Sequence, residues 1–328
     1  MSSQNQPLIT VTSRGLHCPA GDFYIDPWQP VQTAVITHGH GDHLRHGSAR
    51  YIVARPGLAV ARHRLGSGHE IFPVDYGQRL TLGAAQVSLH PAGHILGSAQ
   101  VRIEHGGQVW VMSGDYKRQP DPTCAPFTPV ECDVFISEAT FALPLYRWSA
   151  TAQVIEDIVR WWHANRERGM ASVLCCYALG KAQRVLAELR AFTDETVYLH
   201  GAVDALTSVY RHADVAMGST LRAVSERQVD YRGALIIAPP GAARTPWMRR
   251  FGEHTTALCS GWMQVDGEHR RRGYDRGFVI SDHADWLGLI DTCLESRARR
   301  VLLMHGDPDA LTRHLNERGI ESAALATA

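Results

Sequence analysis

Residues 37–43 read THGHGDH and follow an apolar, β-branched run typical of a strand. His38, His40, Asp42 and His43 therefore lie within six positions, with glycines between them. Glycine permits the tight backbone path that turns neighbouring side chains toward one point. Imidazole and carboxylate donors together suit zinc and also accept manganese or iron. This stretch predicts a metal site at the end of a β-strand.

Two further candidate ligands lie downstream, each beside a strand-like run. His94 is flanked by glycines in residues 91–97 (PAGHILG), and Asp115 follows the apolar run 109–112. A metal site draws its ligands from several chain segments, so both residues have the right type and setting. Taken singly, Asp115 also fits an ordinary turn.

The chain changes character near residue 149. Residues 8–141 consist of short β-branched or aromatic runs broken by Gly, Pro and Asp, which predicts sheet packed on sheet. From residue 151 to 168 apolar residues recur at helical spacing, and strand-like and helix-like segments then alternate. Such alternation predicts an α/β domain with a parallel sheet. A last α/β unit follows residue 281.

Composition narrows the class of protein. Lysine plus arginine equal aspartate plus glutamate, which argues against a strongly basic coat but permits a local basic groove. The runs 249–250 and 270–272 are the densest in arginine and fit either a solvated face or a phosphate-tracking patch. Seven cysteines without a CxxC spacing predict reduced thiols and no cysteine zinc site. With no signal-peptide pattern and no apolar run long enough for a bilayer, we expect a cytoplasmic protein without membrane contact.

Taken together, the histidine and aspartate motifs resemble the metallo-β-lactamase fold. Residues 135–141 (FISEATF) are similar to the acidic motif of its β-CASP branch, 281–285 (SDHAD) to the second motif and 303–307 (LMHGD) to the third. The resemblance implies an α/β fold, an αββα sandwich with an inserted α/β β-CASP domain. It implies a core at residues 1–143 and 281–328 and an insertion at 144–280.

The resemblance also implies roles for single residues. One metal is expected on His38, His40 and His94, the other on Asp42, His43 and His305. Asp115 is expected to bridge the two, Asp26 to orient ligand histidines, and Glu138 to pair with His283. Catalysis is accordingly expected from His283, Glu138, Asp42 and Asp115.

Residues 176–183 (CYALGKAQ) resemble a strand-to-helix turn of RNA-cutting members. Gly180 exposes backbone N–H groups before a helix and Lys181 adds charge, so a substrate phosphate is one expectation there. A plain strand–loop–helix junction is the other.

The implied function is a hydrolase: a nuclease with two divalent metal ions, zinc favoured and manganese accepted. Family likeness favours a DNA exonuclease in DNA repair or end processing, closest to bacterial DNA ligase-associated exonucleases and mRNA 3′-end processing factor-like proteins. Its expected partners are a nucleic acid and a DNA ligase or helicase of the same pathway.

Alternatives stay open at this point. Residues 281–285, the turn at 176–183 and a true histidine at 305 look like RNA-processing members, whereas 260–262 (SGW) is similar to DNA enzymes. An RNA endo- or exonuclease is therefore the main alternative. A catalytically inactive nucleic-acid-binding scaffold is another, and a small-molecule hydrolase would leave the motifs at 138, 283 and 305 without a role.

Overall fold

The computed structural model describes residues 7–224 and 229–325. These fold into two compact units, one that runs to Pro144 and resumes at His283, and a second at Leu145–Asp282. The assignment of residues 144–280 to an inserted β-CASP domain stays a prediction. No helix in the described ranges combines the length and apolarity needed to cross a membrane.

The first unit contains two sheets. The strands of its first sheet are β1 (Thr10–Thr12), β2 (Gly15–Cys18), β3 (Phe23–Ile25), β4 (Thr33–Val35), β5 (Arg50–Ala54) and β6 (Glu70–Val74). The strands of its second sheet are β7 (Leu80–Leu82), β8 (Ala85–Pro91), β9 (Ala99–His105), β10 (Gln108–Met112), β11 (Val134–Glu138), β18 (Arg300–Met304) and β19 (Glu321–Ala324). Its helices are α1 (Leu58–Leu65), α6 (Trp286–Glu295) and α7 (Asp309–Glu317).

Strand order shows how the two sequence segments of this unit combine. The first sheet runs β1-β2-β3-β4-β5-β6 and the second β19-β18-β11-β10-β9-β8-β7. In the first, β3 to β6 are parallel. In the second, β10, β11, β18 and β19 are parallel. The residues after His283 thus complete a sheet begun by the first segment.

Apolar side chains explain the layering. Phe23 and Ile25 of the first sheet pack in one core with Val87 and Val101 of the second, so the sheets lie face to face. The outer face of the first sheet packs on α1, and that of the second on α6 and α7. Sheet packed on sheet with helices outside is the arrangement that the strand-rich pattern predicts, and the mixed α/β class is confirmed.

The second unit is built on one sheet. Its strands are β12 (Ala171–Cys175), β13 (Val197–Leu199), β14 (Thr220–Arg222), β15 (Leu235–Ala238), β16 (His254–Cys259) and β17 (Arg276–Phe278), and its helices are α2 (Thr151–Glu167), α3 (Lys181–Leu189), α4 (Gly201–His212) and α5 (Glu268–Arg271). The order is β14-β13-β15-β12-β16-β17, and every pairing is parallel. The strand–helix alternation predicts this parallel sheet. Apolar residues of α2, α3 and α4 cover one of its faces.

Candidate metal centre

Parallel strands bring the candidate residues to common sheet edges. Asp115, Glu138 and His305 lie at the carboxyl ends of the adjacent strands β10, β11 and β18. In the first sheet Asp26 directly follows β3, and residues 37–43 follow its parallel neighbour β4. Because the carboxyl ends of parallel strands meet at one edge, residues far apart in sequence become neighbours.

Four donors converge at this place. One ligand atom from each of His38, His40, His94 and Asp115 lies within 4.8 Å of the other three. The Nε2 atoms of His38 and His94 each lie 3.1 Å from Nδ1 of His40, and 3.5 and 3.7 Å from Oδ2 of Asp115. A single imidazole nitrogen cannot satisfy two others that face it, whereas one cation can. Three nitrogens and a carboxylate oxygen thus fit a divalent metal such as zinc.

Backbone geometry places His94 in this group. Gly93 has a φ of +72°, and a Cβ there would lie 2.5 Å from the carbonyl oxygen of Lys117. Only glycine fits such a position without strain. The hydroxyl of Ser98 accepts hydrogen bonds from the backbone N–H groups of His94 and Ile95 at 3.0 and 3.3 Å. The loop that carries His94 is therefore fixed on both sides of the imidazole.

The carboxylate of Asp26 contacts the histidine cluster through Thr37 and His43. Its carboxylate accepts hydrogen bonds from the Thr37 backbone N–H at 2.8 Å and the Thr37 hydroxyl at 2.5 Å. Its Oδ2 also lies 2.7 Å from Nδ1 of His43. That contact directs Nε2 of His43 to 3.6 Å from Oδ2 of Asp115. Ligand histidines in metal sites usually make such a bond through their outer nitrogen.

Electrostatics also favours a cation here. Burial lowers the pKa of His38 well below its ordinary value, and the imidazoles of His43 and His94 lower it further. Burial alone lowers the pKa of His43 as well, but the carboxylates of Asp115 and Asp26 outweigh it and raise the pKa to about 10. Burial raises the pKa of Asp115, yet the surrounding imidazoles, His43 first, hold it well below its usual range. Buried carboxylates here call for positive charge, which a divalent metal supplies.

The second predicted ligand set is less tightly assembled. Nε2 of His43 lies 3.8 Å from Oδ2 of Asp42, and the rings of His43 and His305 are 5.9 Å apart. These three residues line a cavity of about 90 Å³. In the described ranges, the donor groups that meet within 4.8 Å do not include this set. His305 has a φ of +61°, a backbone strain that recurs at functional sites.

A third group lies beside the first. One ligand atom from each of Asp115, Glu138 and His283 lies within 4.8 Å of the other two. Nδ1 of His283 lies 2.9 and 2.7 Å from the two carboxylate oxygens of Glu138. Glu138 is itself buried and accepts a hydrogen bond from the backbone N–H of Tyr116 at 2.8 Å. This carboxylate fixes the imidazole of His283, whose ring centre is 4.8 Å from that of His94.

The turn at Gly180 and Lys181 makes its polar contacts within the protein. Lys181 is 2% exposed, and its ammonium lies 3.3 Å from the carboxylate of Asp282. The N–H of Gly180 donates to the side-chain oxygen of Gln183 at 2.8 Å. Both donors are buried and engaged within the protein, and contact of this turn with a substrate phosphate stays a prediction.

Lys117 also contacts the loop that carries His94, although no sequence pattern predicts this role. Lys117 is fully buried, its ammonium binds the carboxylate of Asp121, and it lies 3.4 Å from the carbonyl oxygen of His94. A buried lysine normally needs a charged partner. Its ammonium thereby supports the loop that carries His94. Nothing in the local sequence separates Lys117 from a surface lysine.

The chain is similar in sequence to several known proteins. A protein named probable DNA ligase, from Opitutus terrae, is 33% identical over 319 residues, which are 95% of this chain and 30% of that protein. Endoribonuclease ysh1 of Emericella nidulans is 30% identical over 36% of this chain and 14% of its own. Integrator complex subunit 11 of Danio rerio is 31% identical over 33% of this chain and 18% of its own. This chain therefore spans less than a third of each of these relatives, and no family model matches it.

Proposed function

Because the chain belongs to the β-CASP branch of the metallo-β-lactamase-fold nucleases, we propose that it hydrolyses phosphodiester bonds of nucleic acid with two divalent metal ions. The observation that carries this proposal is the convergence of His38, His40, His94 and Asp115 on one point. Three imidazoles and a carboxylate, of which only His40 is partly exposed, direct donor atoms to one point, the arrangement by which proteins hold a divalent cation.

Each metal has a proposed set of ligands. His38, His40 and His94 would hold the first, Asp42, His43 and His305 would hold the second, and Asp115 would contribute a carboxylate to both. When bound, paired divalent metals lower the pKa of water to about 7 and offset the charge that builds on a phosphoryl group. Zinc suits this nitrogen-rich set best, and manganese is also accommodated.

The chain's own residues supply orientation and proton transfer. Glu138 binds Nδ1 of His283, which leaves Nε2 as the atom on the substrate side of the ring. From there His283 donates a proton to the leaving oxygen, a contribution of roughly a hundredfold or more. Asp26 keeps His43 turned toward Asp115.

For the substrate, we propose DNA and an exonuclease that processes ends during repair, with a DNA ligase or helicase as partner. The relative named probable DNA ligase supports this, since its match covers 95% of the chain. An RNA endonuclease is the second candidate, and it is favoured by the relatives named endoribonuclease, whose matches cover about a third of the chain.

The test is digestion of end-labelled single- and double-stranded DNA and RNA by protein loaded with zinc or manganese. Asp42→Ala should abolish cleavage, and Asp75→Ala should not. Both carboxylates are exposed in the same unit, at 74% and 60%, so unfolding does not explain a difference. Faster digestion of RNA would replace the DNA proposal by the second candidate. Metal-loaded protein that cleaves none of the four substrates would overturn hydrolysis itself and leave the inactive scaffold.

A further inference from the structure

The second unit contains a cavity that the hydrolytic centre does not use. It measures about 450 Å³, within the usual size of a small-ligand site. Its walls belong entirely to Leu145–Asp282. They include Tyr177, Arg244, Trp262, Arg271, Arg272 and Tyr274.

Sheet topology places the cavity where α/β sheets bind ligands. Leu258 and Cys259, which line it, form the carboxyl end of β16, and Tyr177 follows β12. These strands are parallel neighbours, but the chain leaves β12 toward β13 on one side and β16 toward β17 on the other. Their connections diverge, so a crevice opens between them. Ligands in open α/β sheets bind at such a switch point.

Three guanidinium groups give the cavity a positive charge. Arg271 and Arg272 share the single carboxylate of Glu268, at 3.1 and 2.6 Å. Arg244 adds a third charge and donates to the carbonyl oxygen of Arg272 at 2.6 Å. Gly273, with a φ of +76°, makes room for it, since a Cβ there would lie 2.4 Å from the Arg244 guanidinium. The three arginines and Glu268 together carry a net charge of about +2. The planar guanidinium group can form two parallel hydrogen bonds to a phosphate.

Aromatic rings supply the other half of the site. Tyr177 is 57% exposed although it is a large ring, and Trp262 and Tyr274 line the same space. The ammonium of Lys181 lies 5.0 Å from the centre of the Tyr177 ring and supports it from the protein side. An exposed ring beside a positive groove matches the way proteins hold single strands, with a base on the ring and phosphates on the cations. Here that ring is Tyr177, because Trp262 is half-buried and Tyr274 is buried.

We propose that this cavity binds a nucleotide of a single-stranded nucleic acid, with the base stacked on Tyr177 and the phosphate held by Arg244, Arg271 and Arg272. The proposal rests on the proposed function in that the strand is the substrate of the nuclease. It adds an anchor whose residues lie outside the metal-binding unit. Phosphate and base are common to DNA and RNA, so both strands are tested.

The experiment measures binding of fluorescent, phosphorothioate-linked DNA and RNA strands to metal-loaded protein over a range of salt concentrations. Phosphorothioate keeps the charge of the strand but resists hydrolysis. Arg272→Gln should weaken binding about tenfold or more and lower the salt slope by about 0.7 for each phosphate that the variant no longer neutralises. Arg160→Gln is the matched control, because both arginines pair with a glutamate four residues earlier and are exposed.

Stacking is tested separately from charge. Tyr177→Ala should weaken binding about tenfold without changing the salt slope, since a ring carries no charge. Phe192→Ala, another exposed ring of this unit, should leave binding unchanged. If the variants lose affinity for DNA alone or for RNA alone, the proposed binding by the cavity is supported and that nucleic acid is its ligand. The proposal would be overturned if Arg272→Gln and Arg160→Gln had the same binding affinity and the same salt slope for both DNA and RNA. Lack of hydrolysis by the wild type would instead refute the proposed function, because this binding assay does not depend on cleavage.

Discussion

Replacement of Asp26 by asparagine tests whether the metal centre is held by an oriented carboxylate. The oxygen of asparagine can still accept from the Thr37 N–H. Its amide, however, presents N–H groups to His43, whose Nδ1 donates a proton when Nε2 faces the metal. The Thr37 hydroxyl, which donates to the same Asp26 oxygen as His43, can turn to accept from the amide instead. The variant therefore lacks the charge-assisted hydrogen bond to His43, at a cost of about 2 kcal/mol. Since 1.4 kcal/mol corresponds to tenfold, metal affinity should fall about 30-fold.

Asp22→Asn is a close control. Asp22 and Asp26 both adopt a positive φ, of 48° and 43°, which asparagine tolerates. Each also contacts a histidine, but the Asp22 side chain is 91% exposed and lies 3.3 Å from His17. An exposed polar exchange of this kind changes stability by about 0.5 kcal/mol at most.

The assay is competition for zinc between the protein and a chromophoric chelator, with urea unfolding alongside. Asp26 also raises the pKa of His43, so the wild-type protein must release a proton on metal binding at neutral pH. That release offsets part of its advantage, and the loss of affinity in Asp26→Asn should be larger at alkaline pH. Dissociation constants of the two asparagine variants within twofold of each other at both pH values would refute the orienting role.

Three other predictions concern the same centre. His283→Ala should slow cleavage about a hundredfold or more while elemental analysis finds full metal content, and metal loss would mean that His283 is a ligand. Metal binding to the chelator-treated protein should release a proton from His43 at neutral pH but none above about pH 10, where the imidazole is already neutral. Calorimetry in buffers of different ionisation enthalpy measures this release. Identical heats in all buffers at neutral pH would contradict the prediction. Gly93→Ala should lower both the metal affinity and the free energy of unfolding, because the added Cβ meets the Lys117 carbonyl. Gly106→Ala is the control: Gly106 has a φ of +59° with open space around it, so this change should lower the free energy of unfolding by only about 1 kcal/mol. Equal urea midpoints for the two variants would refute the argument.

Local sequence patterns were informative where the chemistry is local. The spacing of His38, His40 and His43 with intervening glycines identifies a metal motif because these side chains turn together within one loop. The periodicity of residues 151–168 likewise predicts a helix, and the structure has α2 at Thr151–Glu167. In both cases neighbours along the chain decide the outcome.

Burial was the property that sequence did not provide. Lys181 is the first residue of α3, in a turn that resembles a phosphate site, and its ammonium is buried against Asp282, a residue about a hundred positions away. Lys117 is buried against Asp121 for the same kind of reason. Whether a lysine meets solvent or a carboxylate depends on what packs over it, and composition does not encode that.

By itself, the sequence determined the kind of chemistry available, since residue types and short spacings set which donors and rings exist. Tertiary structure decided which of them act together. Glu138 and His283 are separated by 145 residues and meet because the chain's last segment adds β18 beside β11. Arg271 and Arg272 form a visible basic run, but only the pairing of β12 with β16 sets them around a cavity with Tyr177. Such pairings depend on strand order, which is fixed by burial of apolar faces across the whole chain.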